Sequence, residues 1–345
     1  MKKIYILIIV VITSCQFNSS NEKNDAFDGE IFSNSRNIKS EELKIIPDSL
    51  LMFPVSILIN KENLIVNDPE SEGVFHIVQI PEEKYLGNFG GKGSGPGEVL
   101  TAWGISNSEK ENITVYDLMQ KKIVEFNLDT LMVNGKFIKE YKLSSKTGHY
   151  TKIVNGDKLY SLYGFDNKNI LNQIDLGTNR RKTFGNPFEL SFKIDEKIKE
   201  RIYMSSMDKK GNLIVISYMF TPRIEIFNLK TNTWKAIEGP QIFKPKFFYK
   251  KNSNGTKHIS FKKDLKIAYT TIRITKKRIY ALYNGRSEKG IKGEHSNIIF
   301  VFDLDGNILE KITLDKGILS FDVYLDEYIY GVNSVEKPML LKFKL

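Results

Sequence analysis

The sequence predicts an all-β chain folded as a six-bladed β-propeller, with four antiparallel strands per blade and the ring closed by an N-terminal strand that completes the last blade. Three observations lead there. Segments of alternating apolar residues ending in a polar turn recur six times, at 74–80, 123–128, 170–176, 224–229, 298–304 and 340–345. Each is preceded by another apolar strand behind a hairpin signal, and the first five are followed by a turn and a further strand. The chain is also aromatic-rich, with 22 Phe and 16 Tyr, as strand proteins tend to be. A 345-residue chain that is 41% hydrophobic can bury a substantial core, which excludes disorder over most of its length, and its single cysteine excludes a disulfide framework.

Residues 1–14 read as an export signal. Lys2 and Lys3 precede an uncharged apolar run, Ile4 to Ile12, too short to span a bilayer as a helix (~20 residues) but suited to a signal-peptide core. The run ends in Ile12, Thr13, Ser14 and Cys15, which resembles the bacterial lipobox. The resemblance implies cleavage before Cys15 and its lipidation, so that the mature chain is held to a membrane by acyl groups; a buried or reactive free thiol is the alternative. Gln16, where an aspartate would favour inner-membrane retention, implies the outer membrane, with the body facing the periplasm or the exterior. Residues 15–40 are rich in Asn, Ser, Glu and Lys and read as a flexible tether.

Residues 41–345 are expected to form the propeller. The first strands of successive units start near Phe53, Thr101, His149, Ile202, Tyr269 and Ile318, at spacings of about 48, 48, 53, 67 and 49 residues. Four strands in roughly 50 residues make one blade. The sixth unit supplies only three strands before the chain stops, and the strand-like stretch Glu42 to Ile46 is free to serve as its fourth. Such closure removes open sheet edges. An open solenoid of six β units is the alternative, and neither end carries a convincing polar cap for it.

At the end of the first unit stands Gly90, Gly91, Lys92, Gly93, Ser94, Gly95, Pro96, Gly97 and Glu98. This element is similar to the GxGxGPGEF-type element of six-bladed propeller lipoproteins of Gram-negative bacteria, related to TolB-like and NHL-repeat propellers; Val99 stands where that pattern often has an aromatic. The resemblance implies a closed, exported, lipid-anchored ring and little chemistry. By its residues the segment fits neither a phosphate loop nor a dinucleotide fingerprint. It reads as a blade-to-blade crossover in which Gly90, Gly93, Gly95 and Gly97 supply backbone freedom and Pro96 a turn, with a backbone-amide anion site as the alternative.

Other chemistry is sparse. Asp303, Asp305, Gly306 and Asn307 begin like a calcium loop but lack the acidic twelfth ligand, where Leu314 stands, and an Asp-Gly hairpin is the better account. His76, His149, His258 and His295 show no metal-binding spacing, and no nucleophile elbow is present. No metal, cofactor or catalytic residue is therefore assigned.

Charge is more informative. The formal net charge is +10, and removing Lys2 and Lys3 with the signal leaves 49 − 41 = +8. Between Pro240 and Lys266 eight lysines oppose Asp264, a local net of 8 − 1 = +7, with Phe243, Phe247, Phe248, Tyr249 and Phe261 interleaved. This insertion accounts for the longest spacing. It reads either as a solvated loop or as a lip over one face of the ring, led by Lys250 and Lys251, that attracts an acidic glycan, lipopolysaccharide phosphates or an acidic protein. Nucleic acid is disfavoured by the export signal. Residues 187–200 form a second irregular connection in which 195–200 could be a short helix. Arg223, Arg273 and Arg286 fall near strand ends, where ligand contacts are expected. Trp103, in the innermost strand of the second unit, is expected in the packed core, with the channel wall as the alternative.

Two functions follow. The first is a binding or protein-interaction module of the cell envelope with a monomeric body. The second is a channel enzyme, a glycan lyase or lactonase-like hydrolase. The residues expected on inner strands, Ser56, Trp103, Ser106, His149, Lys152, Ser205, Ser206, Thr271 and Arg273, include no carboxylate, which weakens the second.

Overall fold

The computed structural model describes residues 23–27, 34–108, 112–130, 137–143, 152–162, 170–185, 205–253, 255, 257–287 and 295–345. Six four-stranded antiparallel sheets follow one another along the chain, each ordered from the innermost strand outward in blades 1 to 5. The innermost strands are Ser56–Asn60, Ala102–Asn107, Lys152–Asn155, Ser205–Lys210, Tyr269–Ile274 and Ser320–Tyr324. His149 and residues 187–200 lie outside the described residues.

Burial on both faces explains why these segments pack as blades. In Leu213–Tyr218 and Arg223–Asn228 nearly every residue is buried, because a middle strand is covered by a neighbouring blade on both faces. Six apolar clusters result, one at each seam between blades. The cluster that joins blade 6 to blade 1 holds Tyr330, Val332 and Leu340 against Ile57, Leu64 and Val66, so the ring is closed by a core and not only by strand pairing.

The closing strand is Ser40–Glu42, which pairs antiparallel with Met339–Lys344 through Ser40 to Phe343, Glu41 to Lys342 and Glu42 to Leu341. The Leu43 amide donates to the Leu340 carbonyl at 2.8 Å, and pairing goes no further along the stretch expected from Glu42 to Ile46. The reason is packing: Leu43 and Ile46 are buried in the seam between blades 6 and 1, and Pro47 follows.

Part of the expected tether is structured. Lys23–Ala26 adds a parallel fifth strand to the outer edge of blade 4, and Ser35–Ile38 does the same on blade 5. Phe27 then inserts between these blades, its ring 5.3 Å from that of Phe300 and 5.6 Å from that of Phe302. Cys15 lies outside the described residues. Among those that are described, no helix is long and apolar enough to cross a membrane.

Candidate functional site

Innermost strands begin on one face of the ring, here the upper face, where the blade-to-blade crossovers also run. Two acidic residues fasten these crossovers. Asp68, at the end of a second strand, accepts the Met52 and Phe53 amides at 2.6 and 2.9 Å, and Asp117, its counterpart in blade 2, accepts the Leu100 amide at 2.6 Å. His76 is packed beneath, between Tyr85 and Asp68. These residues have framework roles.

The glycine-rich crossover is built around its own acid. Gly95 donates its amide to Glu98 at 2.7 Å, and a side chain at Gly93 or Gly95 would collide with the Glu98 carboxylate. Gly90 and Gly97 have positive φ, 80° and 76°, against Phe75 and Phe137. Gln120 and Lys122 reach the carbonyls of Gly93 and Gly95 from blade 2. An internal carboxylate thus occupies the position that the anion-site reading would give to a ligand. The loop at Asp303 is likewise self-satisfied: its carboxylate accepts the amides of Asp305 and Asn307 and the Asn307 side chain.

Where the crossovers meet the inner strands, a cavity of about 600 Å³ opens at the upper mouth of the channel, within the size range of small-ligand sites. Leu100, Ile105, Ile153, Met207 and Met219 make much of its wall, and Ser56, Thr101, Ser206, Thr270 and Ser320 ring it with hydroxyl groups. Trp103 stands on this wall and is 44% exposed. It therefore does not occupy the core position expected for it: Trp103 is the residue skipped where the register shifts between Ala102 and Gly104, a bulge that turns its side chain out of the blade packing. At the rim Lys92 and Glu70 face each other at 3.8 Å.

Arg273 lines the same cavity and crosses the bore, donating to the Ile57 carbonyl of blade 1 at 2.9 Å and to the Ile272 carbonyl at 3.0 Å. Its Nε lies 3.6 Å from the Asp322 carboxylate. Asp322 accepts the amides of Ile59, across the closing seam, and Val323. Asp208 accepts those of Ile274 in the next blade and Lys209. Burial pushes the Asp322 carboxyl up to about 6, against the pull of Arg273 and with the push of Asp208. Burial raises Asp208 as well, and Arg273 partly offsets it. This charged plug was missed in the sequence. Its signal was an acid inside an apolar inner strand, Phe321, Asp322, Val323, where a buried polar side chain needs partners from other blades.

The other two arginines stand near strand ends, as expected, but away from the cavity. Arg223 is 2% exposed and bonded to Glu225 and Glu238, both at 2.9 Å, so it holds blade 4 together and is closed to a ligand. Arg286 lies in the connection after the second strand of blade 5, where its carbonyl accepts the Ile267 amide, and it is not on the cavity wall. Lys250 and Lys251 are exposed on a two-stranded hairpin, Phe247–Lys251 with Lys257–Phe261. The hairpin rises on the cavity's face of the ring, with Phe261 against Phe220 at 4.7 Å between ring centres. Among the described residues, no group of three His, Cys, Asp or Glu side chains could hold a metal ion.

A family model described as TolB-like 6-blade propeller-like matches residues 31–326. The chain belongs to that family. In fold, this TolB-like propeller is similar to a candidate exported protein of Bacteroides fragilis NCTC 9343, at 12% identity and a TM-score of 0.55, over 93% of this chain and 99% of that one. It also matches virginiamycin B lyase from Staphylococcus aureus, at 10% identity and a TM-score of 0.47, over 89% and 99% of the two chains. At such identities the likeness concerns the fold alone. No curated protein matches the chain.

Proposed function

We propose that this TolB-like propeller is a binding module of the cell envelope, lipid-anchored through Cys15 in the outer membrane, whose ligand seats in the cavity at the upper mouth of the channel. The observation that carries the reading is Trp103: a large aromatic face, 44% exposed, on the wall of an apolar cavity ringed with hydroxyl groups. Such a wall suits a ligand with one apolar face and several hydroxyls, as a glycan has, stacked on the indole. Lys92 at the rim would meet an acidic substituent. A protein partner inserting one apolar side chain uses the same features.

A channel enzyme is favoured less. The bore below the cavity is crossed by Arg273, and the two carboxylates of raised pKa are engaged by backbone amides and do not line the cavity. Neutral and acidic oligosaccharides, titrated calorimetrically against the chain and its Trp103→Ala variant, test the reading. A ligand that binds the parent and loses at least ~10-fold in the variant supports it; equal affinity for both would overturn it, and a ligand consumed during the titration would move the site to the enzyme class.

A further inference from the structure

The lysine-rich hairpin does not belong to the cavity. No residue between Pro240 and Lys266 lines it, so the strongest local charge on the chain is directed elsewhere. Its position suggests where. The excursion that carries the hairpin leaves blade 4 at Glu238 and Gly239, and the N-terminal strand ends at the same two residues. Ala26 pairs with Glu238, the Phe27 amide donates to the Glu238 carbonyl at 3.0 Å, and Gly239, at φ 144°, packs against the Phe27 carbonyl, where any side chain would collide. The N-terminal strand thus ends at the root of the basic hairpin, on the rim between blades 4 and 5, while its start at Lys23 lies beside Lys235, three residues down the same edge toward the opposite face. From Cys15 to Lys23 is eight residues, roughly 26–29 Å at full extension, more than the ~10 Å that separates Lys23 from the hairpin's root, so an anchored chain holds this edge of the ring near the bilayer with the hairpin within reach of it.

We infer that the hairpin is a membrane-docking element that lays its lysines on the anionic phosphates of lipid headgroups. Lys244, Lys250, Lys251, Lys262 and Lys263 are exposed. Phe248 and Tyr249, at 44% and 45% exposure, and Ile242, at 70%, stand among them. Exposed aromatic and aliphatic side chains set between cations match an interface that is charged outside and apolar beneath. Lys246 is held by Asp264, and Lys266 reaches Gln241 and the Phe243 ring, so these two brace the base. A bilayer, unlike a small glycan, engages the whole length of such a hairpin. The nearness of the bilayer rests on the lipid anchor proposed above; the hairpin's own affinity does not.

The mature chain with Cys15→Ser, which keeps every described strand, is the test protein. Co-sedimentation with phosphatidylglycerol-containing vesicles is compared with phosphatidylcholine vesicles at low and high salt. Binding to the anionic vesicles alone, weakened by salt, is expected, with a loss of at least ~25-fold in Lys250→Glu/Lys251→Glu, about fivefold per lysine removed. Lys262→Glu/Lys263→Glu, on the return side, should behave alike, and Trp103→Ala should bind vesicles as the parent does. Equal partition into both vesicle types, no loss in either lysine pair, or retention on an acidic polypeptide without vesicle binding would overturn the inference. Recovery of the unsubstituted chain in the soluble fraction of cells would remove the anchor instead, and leave the vesicle result to decide the hairpin alone.

Discussion

Replacing Arg273 by Met should destabilise the propeller strongly at about pH 8 and much less at about pH 5. In the parent chain one guanidinium stands against two buried carboxylates, Asp322 at 3.6 Å and Asp208, which contributes to the upward push on Asp322. Methionine fills similar space but leaves Asp322 without its cation and Asp208 with only the weaker pull of Lys210, and removing one partner of a buried ionic group costs about 3–5 kcal/mol. At about 2–4 °C per kcal/mol for large domains, the melting temperature should fall by roughly 6–20 °C. The carboxyls are already raised by burial, so losing Arg273 raises them further. Their folded pKa values then lie well above the unfolded value of ~3.9. A group of that kind favours the folded state at low pH, and the benefit is lost as pH rises through the folded pKa. The variant's penalty is therefore fully present above the raised values and shrinks as the acids take up protons, so the gap between parent and variant should at least halve at about pH 5. Scanning calorimetry of both proteins at the two pH values measures this. An equal loss at both, or no loss at either, would refute the plug as an electrostatic unit.

Other outcomes follow from the same geometry. In the parent, Asp322 at about 6 should make stability fall as pH rises from about 4 to 7, by up to ~3 kcal/mol from this group, and Asp322→Asn should flatten that part of the profile in denaturant titrations. Gly97→Ala forces a side chain at φ 76° into Phe137 and should cost more than about 1 kcal/mol, read as a lower urea midpoint. Phe27→Ala should leave the six blades folded but free the N-terminal strand from blade 4, so that trypsin cuts at Lys23 at least ~10-fold faster than in the parent.

The repeating unit, the number of blades and the need for a closing strand are legible in the residues alone, because middle strands covered on both faces must be mostly apolar, and Ile224 to Leu229 or Ile298 to Leu304 announce themselves. The glycine-rich crossover was legible for a related reason: positive φ and contact with Glu98 admit little else. Strands at the rim left no such trace. Ser40 to Glu42 closes the ring through backbone hydrogen bonds and is half exposed, so no pattern of side chains marks it, and the more apolar stretch beside it drew the assignment. Lys23 to Ala26 reads as tether for the same reason. What the arginines do depends on the folded ring. Arg223, Arg273 and Arg286 look alike in sequence, yet one is locked inside a blade, one bridges the bore and one lies in a connecting loop. Arg223 meets Glu225 and Glu238, 2 and 15 residues away in its own blade, whereas Arg273 faces Asp322 and Asp208 from the two neighbouring blades, and local sequence carries no record of that juxtaposition. A bulge in the inner strand, equally unmarked in the sequence, set Trp103 on a cavity wall instead of in a core.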